Sequence, residues 1–235
     1  MTDKGATMSG ATTDNNQNSG IEDIIRIPRE KLDKLLIAVG AVAALVFAVA
    51  GGLLSWGAGF SNDYVHDELG SQNITIPDEA TLRADASLTE DELDALLEFA
   101  GEPLTTGVQA QAYAGMIGAH VRQATGGMTY AELGGPESAA RAAVTEARDS
   151  GASDAEIEAL EGELAEVSGQ RDTAFRGETL RGLLLSSFAW YTIGQIAGIA
   201  SWVAYGAAVV MAVLVVLGLL NLRRNPPAGA STQRA

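Results

Sequence analysis

The sequence predicts an all-α membrane protein in which two transmembrane helices flank a helical extracytoplasmic domain. Three observations lead to this prediction. Two long runs, residues 35–56 and 183–220, are apolar and carry no charge. The segment between them is acidic and contains several helix-capping pairs. Lys and Arg stand before the first run and after the second, which is the charge pattern of a chain that crosses a bilayer twice.

The first apolar run predicts a transmembrane helix over 35–56. Its 22 uncharged residues match the roughly 20 that are needed to cross a hydrocarbon core. Residues 1–34 before it predict a cytoplasmic tail that is disordered over 1–20 and charged over 21–34, where a short juxtamembrane helix after Pro28 is one alternative. The triplet Ala-Val-Ala at 48–50 also fits a signal-peptide cleavage site, so a cleaved signal peptide is the alternative. The apolar run continues beyond this triplet to Trp56.

The cations near the apolar runs predict the orientation of the chain. Four precede the first run and two follow the second, whereas residues 57–82 contain no Lys or Arg; the six are Arg26, Arg29, Lys31, Lys34, Arg223 and Arg224. Because short cytoplasmic flanks are enriched in Lys and Arg, both termini are predicted to be cytoplasmic and residues 57–182 to lie outside. The cell membrane is therefore the predicted location, with 221–235 as a second cytoplasmic tail.

The predicted outer domain, 57–182, is strongly acidic. It contains 24 Asp and Glu against seven Arg. Binding to nucleic acid depends on neutralising phosphates, so nucleic acid is excluded as a partner. Anionic lipid headgroups are disfavoured for the same reason. The chain has no Cys, which excludes disulfides, thiol catalysis and thiolate metal sites.

Capping pairs and glycines predict the elements of the outer domain in order. Residues 73–77 are predicted to be extended around Ile74 and Ile76. Helices are then predicted from Thr89 to about Gly101 and over about 106–125, the latter ending at the Gly126-Gly127 pair. Thr129 and Glu132 predict one short helical turn, and Pro136 is predicted to begin a new helix that reaches about Asp149.

The second apolar run is too long for one span. Its 38 residues would form a helix of roughly 57 Å, whereas the hydrocarbon core is about 30 Å thick. The predicted span is 199–220, and 183–198 is predicted to be the outer end of a long helix that begins near Ser153, or else an interfacial segment. We expect the helix bearing Tyr113, Met116 and Ile117 to cover this outer end. The side chains expected to be buried there are Leu183, Leu184, Leu185, Phe188 and Ile193.

Small residues recur at four-residue spacing in both runs and are candidates for close helix packing. They are Gly40, Ala44, Ala48 and Gly52 in the first run, and Gly194 and Gly198 in the second. Such stripes allow helix backbones to approach closely in lipid. Packing of the two spans on each other, or on other chains, is the functional interpretation. The alternative is that Ala and Gly are simply common in this chain.

The sequence offers little material for catalysis. It contains no nucleophile-elbow, Walker A or dinucleotide-binding motif, so no catalytic, cofactor-binding or metal-binding residues are predicted. The two histidines, His66 and His120, define the alternative of a metal-dependent membrane-anchored enzyme, in which acidic residues such as Asp63 would complete a nonhaem iron site. His120 is predicted to be a core residue of its helix. A small transporter or channel subunit is a further alternative, although no charge lies inside either clean span.

Three segments resemble a family of small two-span membrane proteins from high-GC Gram-positive bacteria. They read NITIPDEATL, TTGVQAQAYAGMIGAHVRQATGGMTYAEL and AFRGETLRGLLLSSFAWYTIGQIA. Some members of this family are described as aromatic ring-opening dioxygenases, and two histidines without an evident iron site do not support that activity here. The resemblance covers roughly 73–220 and implies two spans, with no established catalytic residues.

These patterns together predict a non-enzymatic protein of the bacterial cell envelope. Its helical ectodomain is expected to bind a partner or to stabilise a larger membrane assembly. The expected partners are the lipid bilayer and either another protein or further copies of the same chain. No cofactor is predicted.

Overall fold

A computed structural model describes residues 29–224 as six helices joined by short links. The helices are α1 (Arg29–Gly70), α2 (Glu79–Ala84), α3 (Glu90–Leu97), α4 (Gly107–Ala124), α5 (Tyr130–Ser150) and α6 (Asp154–Arg224). The described residues contain no strand, and the only β-type pairing among them is one isolated bridge between Thr75 and Pro103. The all-helical prediction is therefore confirmed, and the predicted cytoplasmic tails lie largely outside the described residues.

The described chain forms two compact units, and α1 and α6 contribute to both. One unit consists of residues 29–48 and 205–224, here called the terminal helix pair; the other is 49–204, here called the helical unit. Both α1 and α6 are long and apolar enough to cross a membrane. This finding agrees with two membrane-spanning helices.

The terminal helix pair brings small residues of one helix against branched residues of the other. A Cβ added at Gly40 would lie 2.9 Å from Cγ2 of Val215, and one added at Gly218 would lie 2.9 Å from Cγ1 of Ile37. Outside this contact line the large apolar side chains are exposed. Such a surface suits lipid, which solvates apolar side chains as readily as another helix does.

In the helical unit, α1 extends well beyond the predicted end of the first span. The helix continues from Trp56 to Gly70 through a polar stretch that contains Asp63, His66 and Glu68. The predicted span over 35–56 is thus only part of a longer helix, because charged residues do not break a helix. Gly57 and Gly59 cost about 1 kcal/mol each relative to Ala, and the rest of the stretch keeps the helix intact.

The core of the helical unit joins α1, the link after it, α2, α3, α4 and α6. Its fully buried side chains include Val65, Ile76, Leu82, Leu96 and Leu104, and Leu184 of α6 packs in the same cluster. The extended link predicted around Ile74 and Ile76 is confirmed. Its backbone pairs with the segment before α4, through Ile76 N to Glu102 O at 2.9 Å and Leu104 N to Ile74 O at 2.9 Å.

Capping side chains determine where most helices of this unit begin. The predicted capping boxes of Thr89 with Glu92 and of Thr129 with Glu132 are both present. A third box, of Thr106 with Gln109, begins α4. The short helix α2 was not predicted, and it begins where the Asp78 side chain accepts a hydrogen bond from Thr81 N at 2.8 Å.

Helix α5 corrects the prediction that Pro136 begins a new helix. One helix runs from Tyr130 to Ser150, with Pro136 inside it. The capping box at Thr129 already starts the helix, and Leu133 in its second turn is fully buried, so burial of this turn outweighs the missing proline N–H. Ion pairs of Arg171 with Glu137 and of Arg148 with Glu161 then join α5 to α6.

The sequence predicts one long helix from about Ser153 into the second apolar run, and α6 is that helix. Ser153 Oγ accepts a hydrogen bond from Glu156 N at 3.3 Å, and the helix is unbroken to Arg224. Helix α4 packs antiparallel on it through glycines. Added Cβ atoms at Gly107 and Gly177 would meet Tyr191 Cβ at 2.3 Å and Val121 Cγ2 at 2.1 Å. Backbones therefore approach closely at both ends of this contact.

The expected burial of the outer end of α6 is only partly correct. Leu184 is buried, and Tyr113, Met116 and Ile117 of α4 pack in its cluster as expected. Phe188 is half-buried, however, and Leu183, Leu185 and Ile193 remain exposed. The reason is geometric: α4 lies along residues 177–191 and α1 lies beside it, so together they cover only one side of the helix.

Candidate functional site

The part of the helical unit next to the two apolar runs is a seam between α1 and α6. Gly194 lies against Ser61, where an added Cβ would be 3.0 Å from the serine Cβ, and Gly198 lies against Ala58 at 3.7 Å. Ser61 Oγ donates to the Trp190 carbonyl at 2.5 Å. A hydroxyl that bonds a helix carbonyl across the seam fixes the register of the two helices.

The small-residue stripe of the first run lies only partly on a helix contact. Gly40 and Ala44 are half-buried, whereas Ala48 and Gly52 are exposed and the neighbouring Gly51 is buried. Steps of four residues rotate by about 40° each around an α-helix, so a strict four-residue stripe drifts off the contact. Residues separated by alternating steps of three and four stay on one side of a helix. The buried residues of α1 follow this spacing, which could have been found in the sequence; they are Gly51, Ala58, Ser61 and Val65.

The two histidines have different surroundings. His66 is exposed on α1. His120 is exposed rather than part of the core, which corrects the prediction, and its Nε2 lies 2.7 Å from Asp85 Oδ2. Among residues 29–224, no group of three or more His, Asp or Glu side chains is arranged to hold a metal ion. The described geometry therefore does not bring His66 and His120 into one ligand set.

The carboxyl group of Asp85 has a strongly lowered pKa. Its pKa is lowered from 3.8 to about 2 by hydrogen bonds from Ser87 and then from His120. The Ser87 hydroxyl and the Asp85 Oδ1 atom are 2.6 Å apart. This cluster ties the link after α2 to α4, and its carboxylate is already fully engaged by neighbours. We interpret it as a structural cluster.

An aromatic ladder runs along the exposed side of α1. Trp56 stacks on Phe60 with ring centroids 5.8 Å apart, and Phe60 stacks on Tyr64 at 6.3 Å. The rings recur every four residues and so lie on one side of the helix. The ladder begins at the last residue of the first apolar run. Amphipathic aromatic side chains are typical of the membrane–water interface.

A groove of about 390 Å³ lies at the far end of this ladder. Its walls come from α1, the link after it, α4 and α6, and its apolar lining includes Tyr64, Ile74, Ile117, Leu180, Leu183 and Trp190. Glu68, Gln72, Ser186 and Ser187 add polar groups. The volume lies within the range of about 300–1,000 Å³ that is usual for ligand sites. None of the described residues that line it is Lys or Arg.

A second apolar surface lies on the opposite side of α6 from the α1–α6 seam. It consists of Gly182, Leu185, Ala189, Ile193 and Ile196, all exposed, and is here called the back face. A Cβ added at Gly182 would meet no atom within 4 Å. The members recur at three- and four-residue steps, the spacing of a helix side that packs against another helix.

Comparisons with protein-family models, curated proteins and solved structures find no match to this chain. The function is therefore inferred from the groove, the back face and the charge around them.

Proposed function

We propose that this chain is a two-span protein of the bacterial cell envelope, with both termini cytoplasmic and residues 57–182 outside. In this proposal it has no enzymatic activity. Its role is to hold a helix of another membrane protein against the back face of α6. The observation that carries the proposal is the exposure of this apolar surface at the same level along the helices as a charged segment of α1.

The charges on α1 support a location outside the hydrocarbon core. Asp63, His66, Asp67 and Glu68 are all exposed, and an exposed charge at the centre of a bilayer is strongly unfavourable. The seam contacts of Ser61 with Trp190 and Gly194 place the corresponding part of α6 at the same level. The back face above Gly194 would then face water if no other molecule covered it.

An uncovered back face would be costly. Leu185 and Ile193 are 38% and 55% exposed, and burying a side chain of this size contributes about 1.5–3 kcal/mol. Continuous exposed apolar surface usually marks an interaction site. The small residues Gly182 and Ala189 lie between larger ones. A partner helix could therefore place its own side chains over the small residues and pack around the large ones.

Charge favours a partner other than a second copy. Residues 57–182 contain 24 Asp and Glu against seven Arg, so two outer domains held side by side would repel each other. Like charges brought together across an interface oppose association. The proposed partner therefore presents an apolar helix with neutral or basic surroundings just outside the membrane.

Photocrosslinking in intact cells tests this proposal. A photoreactive residue at Ile193 should give one defined adduct that contains a second, different protein, whereas the same residue at the exposed Glu163 of α6 should not. Ala189→Phe should reduce the yield, because a bulky side chain in the middle of the back face prevents close helix approach. A dimer of the chain itself, adducts with lipid alone, or equal yields at both positions would contradict the proposal.

A further inference from the structure

We infer that the groove at the end of the aromatic ladder binds one hydrocarbon chain of a membrane lipid whose headgroup is zwitterionic rather than anionic. This inference rests on the proposed topology, because a lipid reaches the groove only if the helical unit stands at the outer membrane surface. It concerns a surface distinct from the back face.

The lining of the groove suits an apolar chain. Leu180, Leu183 and Trp190 are about half exposed or more, although they lie at the edge of the core that buries Leu69 and Leu184. A cavity with aliphatic and aromatic walls and few polar groups favours a hydrophobic ligand. Burial of the three exposed side chains by a hydrocarbon chain would remove apolar area from water, which is the main driving force for such binding.

The aromatic ladder provides the connection to the bilayer. It extends from Trp56, at the end of the first apolar run, to Tyr64, which is itself part of the groove lining. Eight residues of helix cover roughly 12 Å. A chain that leaves the hydrocarbon core along these rings therefore remains in contact with apolar surface until it enters the groove.

Charge at the rim determines which headgroup is favoured. Glu68 is the only charged residue among the described residues that line the groove, and the surrounding segment is acidic. An anionic headgroup would be repelled, because like charges separated by less than a Debye length of about 8–10 Å interact. A zwitterionic headgroup can place its cationic group near Glu68, with Gln72 and Ser186 as hydrogen-bonding groups.

Fluorescence quenching of Trp190 tests the inference on the full chain in vesicles. Trp56→Phe and Trp202→Phe leave Trp190 as the only tryptophan. Vesicles of phosphatidylcholine with brominated acyl chains should quench its emission, and aqueous iodide should not. Leu183→Asp, which places a charge in the groove, should abolish the quenching by brominated lipid. Ser186→Phe, which fills the groove without adding charge, should have the same effect, and Leu185→Asp on the back face should not.

The possible results separate this inference from the proposed function. Quenching by iodide and not by brominated lipid would overturn the groove assignment and leave the topology intact. Quenching by brominated lipid in every variant would mean that the segment lies within the hydrocarbon core, which would overturn both. Equal quenching by brominated phosphatidylglycerol and phosphatidylcholine would overturn the headgroup preference.

Discussion

Single residues decide how closely the helices of the helical unit can approach. At Gly177 the backbone of α6 touches Val121 of α4, a buried side chain. Valine in a helix has one strongly preferred side-chain rotamer, so it cannot easily turn away from a new neighbour. Gly169, in the same helix, has no atom within 4 Å of an added Cβ.

Substitution of these two glycines should therefore have opposite effects. We expect Gly169→Ala to stabilise the helical unit by up to about 1 kcal/mol, because Ala is the better helix former. Gly177→Ala should destabilise it by up to about 2 kcal/mol, because overpacking against Val121 outweighs the same gain. Pulse proteolysis in increasing urea measures both. Equal shifts for the two variants would mean that α4 does not pack on Gly177.

The Asp85 cluster makes stability depend on pH in a defined direction. The pKa of Asp85 is about 2 in the folded chain, below its ordinary value of 3.8. A group whose pKa is lowered by folding stabilises the fold above its unfolded pKa, and this contribution is lost as the pH falls through the folded pKa. The contribution of Asp85 is thus complete above about pH 4 and disappears toward pH 2. The pKa of Glu137, lowered mainly by Arg171, acts in the same direction.

Asp85→Asn should lower the free energy of unfolding of the helical unit by about 1 kcal/mol near pH 6, a value reduced for solvent screening. The difference between the parent chain and the variant should vanish as the pH approaches 2. Urea unfolding at a series of pH values, monitored by protease resistance, provides the measurement. Asp94→Asn, at an exposed position of α3, serves as the control. A difference that persists at low pH would show that the carboxylate charge is not the cause.

At the scale of helices, the capping hydrogen bonds were predictable from the sequence. The packing of segments that are far apart in the sequence was not. The boxes at Thr89 and Thr129 depend on residues three positions apart, so the sequence alone locates them. The packing of α1 on α6 beyond Trp56 depends on contacts between residues more than a hundred positions apart, such as that of Ser61 with Trp190. Pro136 inside α5 likewise depends on the burial of Leu133. The groove has walls from four separate segments, and no local pattern brings them together.

The seam between α1 and α6 can be tested by a disulfide, because the chain has no native Cys. Ala58 Cβ and a Cβ built on Gly198 are 3.7 Å apart, within the range of about 3.5–4.5 Å that disulfides require. Ala58→Cys with Gly198→Cys should therefore crosslink under mild oxidation in membranes, seen as altered mobility on a non-reducing gel. Gly59→Cys with Gly198→Cys should not, since Gly59 has no atom within 4 Å of an added Cβ. Crosslinking of the Gly59 pair alone would place a different side of α1 at the seam.

At the scale of the whole molecule, the distribution of charge is the basis of the proposed topology. All three lysines precede residue 35, and the acidic excess is concentrated between the two apolar runs. The positive-inside rule depends on Lys and Arg near the span ends, so the cations before the first apolar run and at the end of α6 favour the same side. The uninterrupted helix through residues 48–50 is compatible with a retained first span, and a cleaved signal peptide remains the alternative that the following experiment decides.

Single-cysteine labelling tests the orientation directly. Cysteine at Ser71 or Ser150, both exposed in the helical unit, should react with a membrane-impermeant thiol reagent in whole cells. Cysteine at Ser9 or Ser231, outside the described residues, should react only after the cells are opened, because the flanking cations are expected to favour the cytoplasmic side for both tails. The reverse pattern would invert the topology and place the groove and the back face in the cytoplasm. Loss of the Ser9 fragment from the mature protein would instead indicate cleavage near residue 50. The chain would then keep one anchor, α6, and the α1 half of the terminal helix pair would be missing.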